Sequence, residues 1–120
     1  MGKKVLIVDD SAFMRKAMKD TLRAASYEVV GEAENGEEAL EKYKVWKPDL
    51  VTMDMGMLGA GGTSAVKKII AHDASAKVLM VSAMGQEAMV TEAIQVGAKG
   101  FIVKPFKPEQ LMAEVKGILG

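Results

Sequence analysis

Residues 5–22 read VLIVDDSAFMRKAMKDTL, and the change of rhythm inside that stretch decides the fold. Val5–Val8 is a continuous run of branched apolar residues, as expected of a strand covered on both faces rather than one with a wet side. Asp9 and Asp10 end the run and Ser11 is a good helix N-cap. Phe13, Met14, Ala17, Met18 and Leu22 then recur at helical spacing. A buried strand that feeds an amphipathic helix through a short polar turn is half of a βαβ unit.

The same unit recurs along the rest of the chain. Tyr27–Val30 reads as a second strand, and Asn35 caps a helix with Ala39, Leu40 and Tyr43 on one face. Pro48 closes that segment and Leu50–Met53 is the third strand. A glycine-rich loop over 56–62 leads to a helix carrying Ala65, Val66, Ile69 and Ile70. Val78–Val81 is strand four, 86–96 is a helix that Gly97 terminates, and Phe101–Val103 is strand five. Pro108 suits the first turn of a final helix that runs to Leu119. Five strands alternating with five helices predict an α/β fold, a doubly wound five-stranded parallel sheet in a single domain over 1–120. In such sheets ligands bind outside the carboxyl ends of the strands.

The bulk composition narrows the function. Lys plus Arg and Asp plus Glu are 16 each, so the chain is neutral overall, unlike a protein whose affinity for nucleic acid rests on neutralised phosphates. There is no cysteine, hence no disulfide and no thiolate metal site. No apolar run approaches the roughly 20 residues needed to cross a bilayer, and the first ten residues are not a signal peptide. A cytoplasmic monomer with no effector domain is expected.

Polar residues gain meaning from their place in this pattern. Asp9 and Asp10 follow strand one, Asp54 ends strand three, Ser82 ends strand four and Lys104 ends strand five. A parallel sheet puts all of these ends on one rim. Three carboxylates held close repel one another unless a cation sits among them, and an all-oxygen ligand set suits a hard ion such as magnesium. Lys104 adds a mobile point charge and Ser82 a hydroxyl, a combination suited to a phosphoryl group in transfer. Taken singly, an Asp pair after a strand is most often a helix cap, and a lone Ser or Lys says almost nothing. The coincidence of five such residues at strand ends carries the case.

The stretches VLIVDDSAFMR, DLVTMD, VSAMG and GAKGFIVKPF closely resemble response-regulator receiver domains of the chemotaxis type, and the resemblance covers the whole chain. It implies the flavodoxin-like strand order 2-1-3-4-5. It also implies that Asp54 is the phosphoacceptor, and that magnesium (with manganese able to substitute) is held by Asp10, Asp9, Asp54 and the backbone carbonyl of Gly56. Ser82 matches the family's switch hydroxyl, Lys104 its lysine and Phe101 its rotating aromatic, while Lys104–Pro105 falls where the family has a cis peptide. The implied partners are a histidine kinase, a phosphatase and the flagellar motor switch, the last meeting an output face that includes Met84, Met89, Phe101 and Lys107. One segment departs from the pattern: Leu58 stands where receivers usually carry Pro, within a loop rich in glycine.

Other readings compete. Gly56-x-x-x-x-Gly61-Gly62-Thr63 approaches a P-loop, yet Gly62 stands where the phosphate-binding Lys belongs. The dinucleotide fingerprint also fails, at Ser64. Phosphatases with an aspartyl-phosphate intermediate need a second acid two residues beyond the nucleophile, a position held here by Gly56. A receiver cut from a longer regulator would look the same as this chain. The ten Met read as gap-fillers on apolar faces, Trp46 as packing near a helix end, and His72 as an exposed residue near another.

Overall fold

The computed structural model describes residues 2–56, 61–83 and 87–120, with the side chain of Met89 outside that set. Among these, strands β1 (Lys4–Val8), β2 (Glu28–Ala33), β3 (Leu50–Asp54), β4 (Val78–Ala83) and β5 (Gly100–Lys104) alternate with helices α1 (Ala12–Ala24), α2 (Gly36–Trp46), α3 (Gly61–His72), α4 (Glu87–Gln95) and α5 (Pro108–Leu119). The sheet is parallel throughout, in the order β2-β1-β3-β4-β5.

Apolar alternation along the strands builds two cores. Val5, Ile7, Leu50, Leu79, Val81 and Ile102 face α1 and α5, where Met18, Leu22, Leu111 and Val115 close over them. Leu6, Val8, Val51, Met53, Val78 and Met80 point the other way, towards Ala39, Tyr43, Val66, Ile69 and Ala93 of α2, α3 and α4. The central strand β3 is buried along its whole length, which explains its unbroken apolar run.

The helix starts follow local chemistry. The Ser11 hydroxyl accepts from the Met14 N–H at 3.2 Å, and Asn35 Oδ1 accepts from the Glu38 N–H at 2.9 Å. Gly97 (φ 126°) ends α4 in a backbone conformation that L side chains rarely adopt. Lys47 takes the left-handed position after α2 (φ 48°), so α2 stops before Pro48.

Several element boundaries and the packing of Phe13 and Ala17 differ from the sequence reading. Strand β2 runs three residues further than Val30, to Ala33. It is an edge strand bonded on one side to β1, and its register skips Val30 between the pairs Val5–Val29 and Leu6–Gly31, so a bulge breaks the apolar rhythm. Helix α3 already begins at Gly61, within the segment expected as loop, while Leu58 lies outside the described residues. Helix α4 ends at Gln95, one residue short of 96, while residue 86 lies outside the described residues. Phe13, which is 82% exposed, and Ala17, one turn on and also exposed, share the helical spacing of Met14 and Met18 but sit at the flank of the buried stripe.

Far from the carboxyl rim, the Tyr43 hydroxyl donates to Asp73 Oδ2 at 2.8 Å and ties α2 to the end of α3. Asp73 Oδ1 accepts from the backbone N–H and hydroxyl of Ser75. The exposed His72 meets the edge of the Tyr43 ring, with centroids 6.2 Å apart. Burial, together with the bond to Asp73, pushes the Tyr43 phenol well above its ordinary pKa. Replacement Tyr43→Phe leaves the ring packing and removes one buried hydrogen bond. The expected loss is about 1 kcal/mol in urea unfolding, with the site at the other end of the sheet unaffected.

An acidic pocket at the carboxyl rim of the sheet

The end of β1 holds Asp9 by every polar atom it has. Its N–H donates to the Ala33 carbonyl at 3.0 Å, and its carbonyl accepts from Arg15 Nη1 at 2.6 Å. Oδ1 accepts from the Ser11 N–H at 2.9 Å and Oδ2 from Lys104 Nζ at 3.1 Å. Asp9 is buried and Asp10, next in the turn, is exposed.

Asp54, at the end of β3, is 5% exposed. Its Oδ1 accepts from the Gly56 N–H at 3.0 Å and lies 3.5 Å from Lys104 Nζ. Among the described residues its Oδ2 accepts no hydrogen bond. Lys104 reaches this point from the end of β5, just before a cis Lys104–Pro105 peptide bond. Asp9, Asp10 and Asp54 each offer a carboxylate oxygen within 4.8 Å of the others.

Burial raises the Asp54 pKa above its ordinary value; the Gly56 N–H opposes this, the Asp9 charge adds to the rise, and Lys104 and Asp10 make smaller, opposing contributions. With all three carboxylates ionised, Lys104 offsets one charge and two remain. A hard dication with oxygen ligands fits that surplus and that donor set, so the cluster is a competent metal site.

Strand alternation separates this pocket from its neighbour. Asp9, Asp54 and Lys104 are in phase with the residues under α1 and α5, whereas Ser82, Phe101 and Val103 are in the opposite phase. Ser82 is buried and makes a long contact of 3.5 Å to the Ile102 carbonyl. It lines a cavity of about 180 Å³ with Val90, Thr91, Ile94, Phe101 and Val103, between β5 and α4. Phe101 is 43% exposed at its mouth. Lys107 is exposed at the start of α5; Met84 and the Met89 side chain lie outside the described residues.

Sequence reasoning missed Arg15 and Glu32. The Arg15 guanidinium also donates through Nε to Glu32 Oε1 at 3.0 Å, and Glu32 accepts from Lys19 at 2.9 Å. Lys19 first, and Arg15 after it, hold the Glu32 carboxyl below its ordinary pKa. Arg15 sits one turn beyond the N-cap, a spacing that lets a long side chain fold back onto the preceding turn, and this was the available signal.

A pH test follows from the raised pKa of Asp54. The protonated carboxyl is favoured in the fold, so its contribution to stability is complete below the unfolded-state pKa and is lost as pH rises through the folded one. At neutral pH and in chelator, Asp54→Asn is therefore expected to raise the urea midpoint and flatten its pH dependence. Magnesium should stabilise the unaltered chain more than the variant.

Comparison with known proteins agrees with this geometry. The response regulator receiver domain model matches residues 5–116. Chemotaxis protein CheY of Thermotoga maritima is 59% identical over 112 residues, which are 93% of each chain. CheY of Bacillus subtilis is 52% identical over 119 residues, 99% of each. Among solved structures, a Borrelia burgdorferi CheX-CheY-BeF3-Mg+2 complex contains a chain 35% identical to this one, with a TM-score of 0.93, covering 98% of this chain and 90% of that one. With an acidic pocket at the rim of a 2-1-3-4-5 sheet and relatives this similar over nearly their full lengths, the chain belongs to the response-regulator receiver family and within it is a CheY-like chemotaxis receiver.

Proposed function

We propose that this receiver, one domain over 1–120, accepts a phosphoryl group on Asp54 from a histidine kinase and relays it as a changed protein-binding surface. The observation that carries this reading is the state of Asp54 itself. One oxygen accepts from Gly56 and lies 3.5 Å from Lys104, and the other accepts no hydrogen bond among the described residues, in a carboxylate cluster with surplus negative charge. An open carboxylate oxygen held in place is a nucleophile in waiting.

In the proposed transfer, the open Asp54 oxygen attacks the phosphorus of a phosphohistidine as the P–N bond breaks and its electron pair returns to the imidazole. Magnesium, with manganese as a substitute, would be held by Asp10, Asp9, Asp54 and the Gly56 carbonyl and would neutralise charge on the phosphoryl oxygens. The CheX-CheY-BeF3-Mg+2 complex of the Borrelia relative supports that choice of ion. Lys104, already beside Asp9 and Asp54, would turn its ammonium to pair with a phosphoryl oxygen. Ser82 gives up its long contact to Ile102 for a shorter bond to the new group, and Phe101 turns from its exposed position into the cavity beside α4. The affected face, from β4 to α5 and including Met84, Met89, Phe101 and Lys107, would meet the flagellar motor switch in the cytoplasm. Among the described residues no helix is long and apolar enough to cross a membrane.

Reset needs water to reach phosphorus past Gly56 and Met84. Neither side chain orients a water molecule well, so release is proposed to depend on a separate phosphatase.

Acetyl phosphate with magnesium should give an acyl phosphate that mass spectrometry maps to Asp54, with no label in Asp54→Asn and none in Asp10→Asn. Labelling elsewhere, or undiminished labelling of Asp10→Asn in chelator, would refute the assignment. Lys104→Arg should keep some label yet lose affinity for the motor-switch partner, since a planar fork replaces a compact charge on a flexible stem. Gly56→Asn should accelerate decay of the label once donor is removed; an unchanged or slower decay would mean that access, not water orientation, limits hydrolysis.

A further inference from the structure

We infer that Arg15 is a positioning residue for cation binding, setting the direction in which Asp10 presents its carboxylate; this rests on the reading of Asp9, Asp10 and Asp54 as a magnesium site. The peptide unit joining Asp9 to Asp10 has its carbonyl oxygen clamped by Arg15 Nη1 at 2.6 Å. Rotation of that peptide would swing Asp10, whose exposed side chain has no hydrogen bond of its own among the described residues to steady it.

Arg15 can hold the carbonyl because it is held in turn. Its side chain is 12% exposed, its Nε donates to Glu32 Oε1 at 3.0 Å, and its Nη2 lies 3.7 Å from Glu34 Oε1. Lys19 grips the other Glu32 oxygen at 2.9 Å, and Lys42 donates to the Glu32 backbone carbonyl. A relay thus runs from α1 and the end of β2 to one peptide plane in the cation-binding turn. A guanidinium suits the task because its rigid fork donates from two separate nitrogens, Nη1 to the Asp9 carbonyl and Nε to the Glu32 carboxylate, where a lysine offers one nitrogen on a flexible stem.

Two effects of replacing Arg15 oppose each other. Losing a positive charge near the pocket would favour a bound cation, whereas losing the clamp would loosen a ligand. Arg15 and Lys19 together balance Glu32 and Glu34, so Arg15→Lys keeps the local charge and removes the fork alone.

The test is magnesium binding by calorimetry, with the urea midpoint in chelator measured on the same samples. Groups that orient metal ligands typically change affinity by 10–100-fold when lost, and Arg15→Lys is expected to raise the magnesium Kd about tenfold. Glu32→Gln, which keeps the shape but weakens the anchor, should raise it by less and provides the reading if Arg15→Lys does not fold. Lys16→Gln, on the same helix but paired with Asp20 in solvent, should leave the Kd unchanged. A lowered urea midpoint with an unaltered Kd in both Arg15→Lys and Glu32→Gln would make the network merely structural and overturn the proposal. Failure of the unaltered chain to bind magnesium would instead overturn the site reading beneath it.

Discussion

Three carboxylates on one rim, with Lys104 to offset one of them, form the constraint around which the rest of the molecule is arranged. Like charges within 4.8 Å of one another are unfavourable at a partly buried site, and at Asp54 burial, the larger cause, and the Asp9 charge both raise the carboxyl pKa. The fold tolerates it because the sheet beneath is buried on both faces and does not yield. β3 carries Asp54 on a strand without an exposed residue, and Asp9 is fixed through all four of its polar atoms. Stability stored in two apolar cores is what allows the rim to remain strained by charge. The surplus negative charge is what would favour a dication at the cluster.

The parallel order follows from the same demand. Asp9, Asp54 and Lys104 are far apart in sequence, and strands of one sheet running the same way bring their carboxyl ends to one rim. β1 and β3 are neighbours, β5 lies two strands beyond β3, and the length of the lysine side chain spans the gap across β4. A shorter cation at position 104 would not reach.

How far the sequence disclosed this depends on how much each residue answers to its own neighbours in the chain. β1, β3 and β4 were legible as apolar runs because both of their faces are buried. The end of β2 was not, since an edge strand with a bulge at Val30 carries Gly31 and Glu32 where an interior strand would carry apolar residues. The helix caps Ser11 and Asn35 were readable from residue type alone. The exposure of Phe13 was not, because periodicity gives a stripe and not its edges. Asp9, Asp54 and Lys104 could be placed on one rim by the alternation of strands and helices, but the resemblance to receivers, not spacing, supplied their roles and the cis peptide. Arg15 stayed hidden because its importance lies in a contact to a backbone carbonyl, and main-chain acceptors leave no mark in a sequence.

The two phases of the strands also constrain how a signal leaves the pocket. Asp9, Asp54 and Lys104 lie on the α1 and α5 side of the sheet, while Ser82, Phe101 and Val103 lie on the α4 side. Under the proposed phosphorylation, a group on Asp54 would not push on α4 through the sheet, because the intervening layer is close-packed and resists small displacements. It has to act around the rim, and Ser82 at the end of β4 stands at that crossing with its hydroxyl in a long, weak contact. A weak bond there is an advantage, because little is lost when the hydroxyl leaves. In the proposed switch the cavity of about 180 Å³ beyond it would then receive the Phe101 ring. In the proposed switch the coupling would be limited by how much better a phosphorylated carboxylate bonds Ser82 than the Ile102 carbonyl does, a difference of one hydrogen bond to a charged group, on the order of 1.5–3 kcal/mol. That range moves a population by a factor of roughly 10 to 150, sufficient for a graded response and too small to lock the surface in one state.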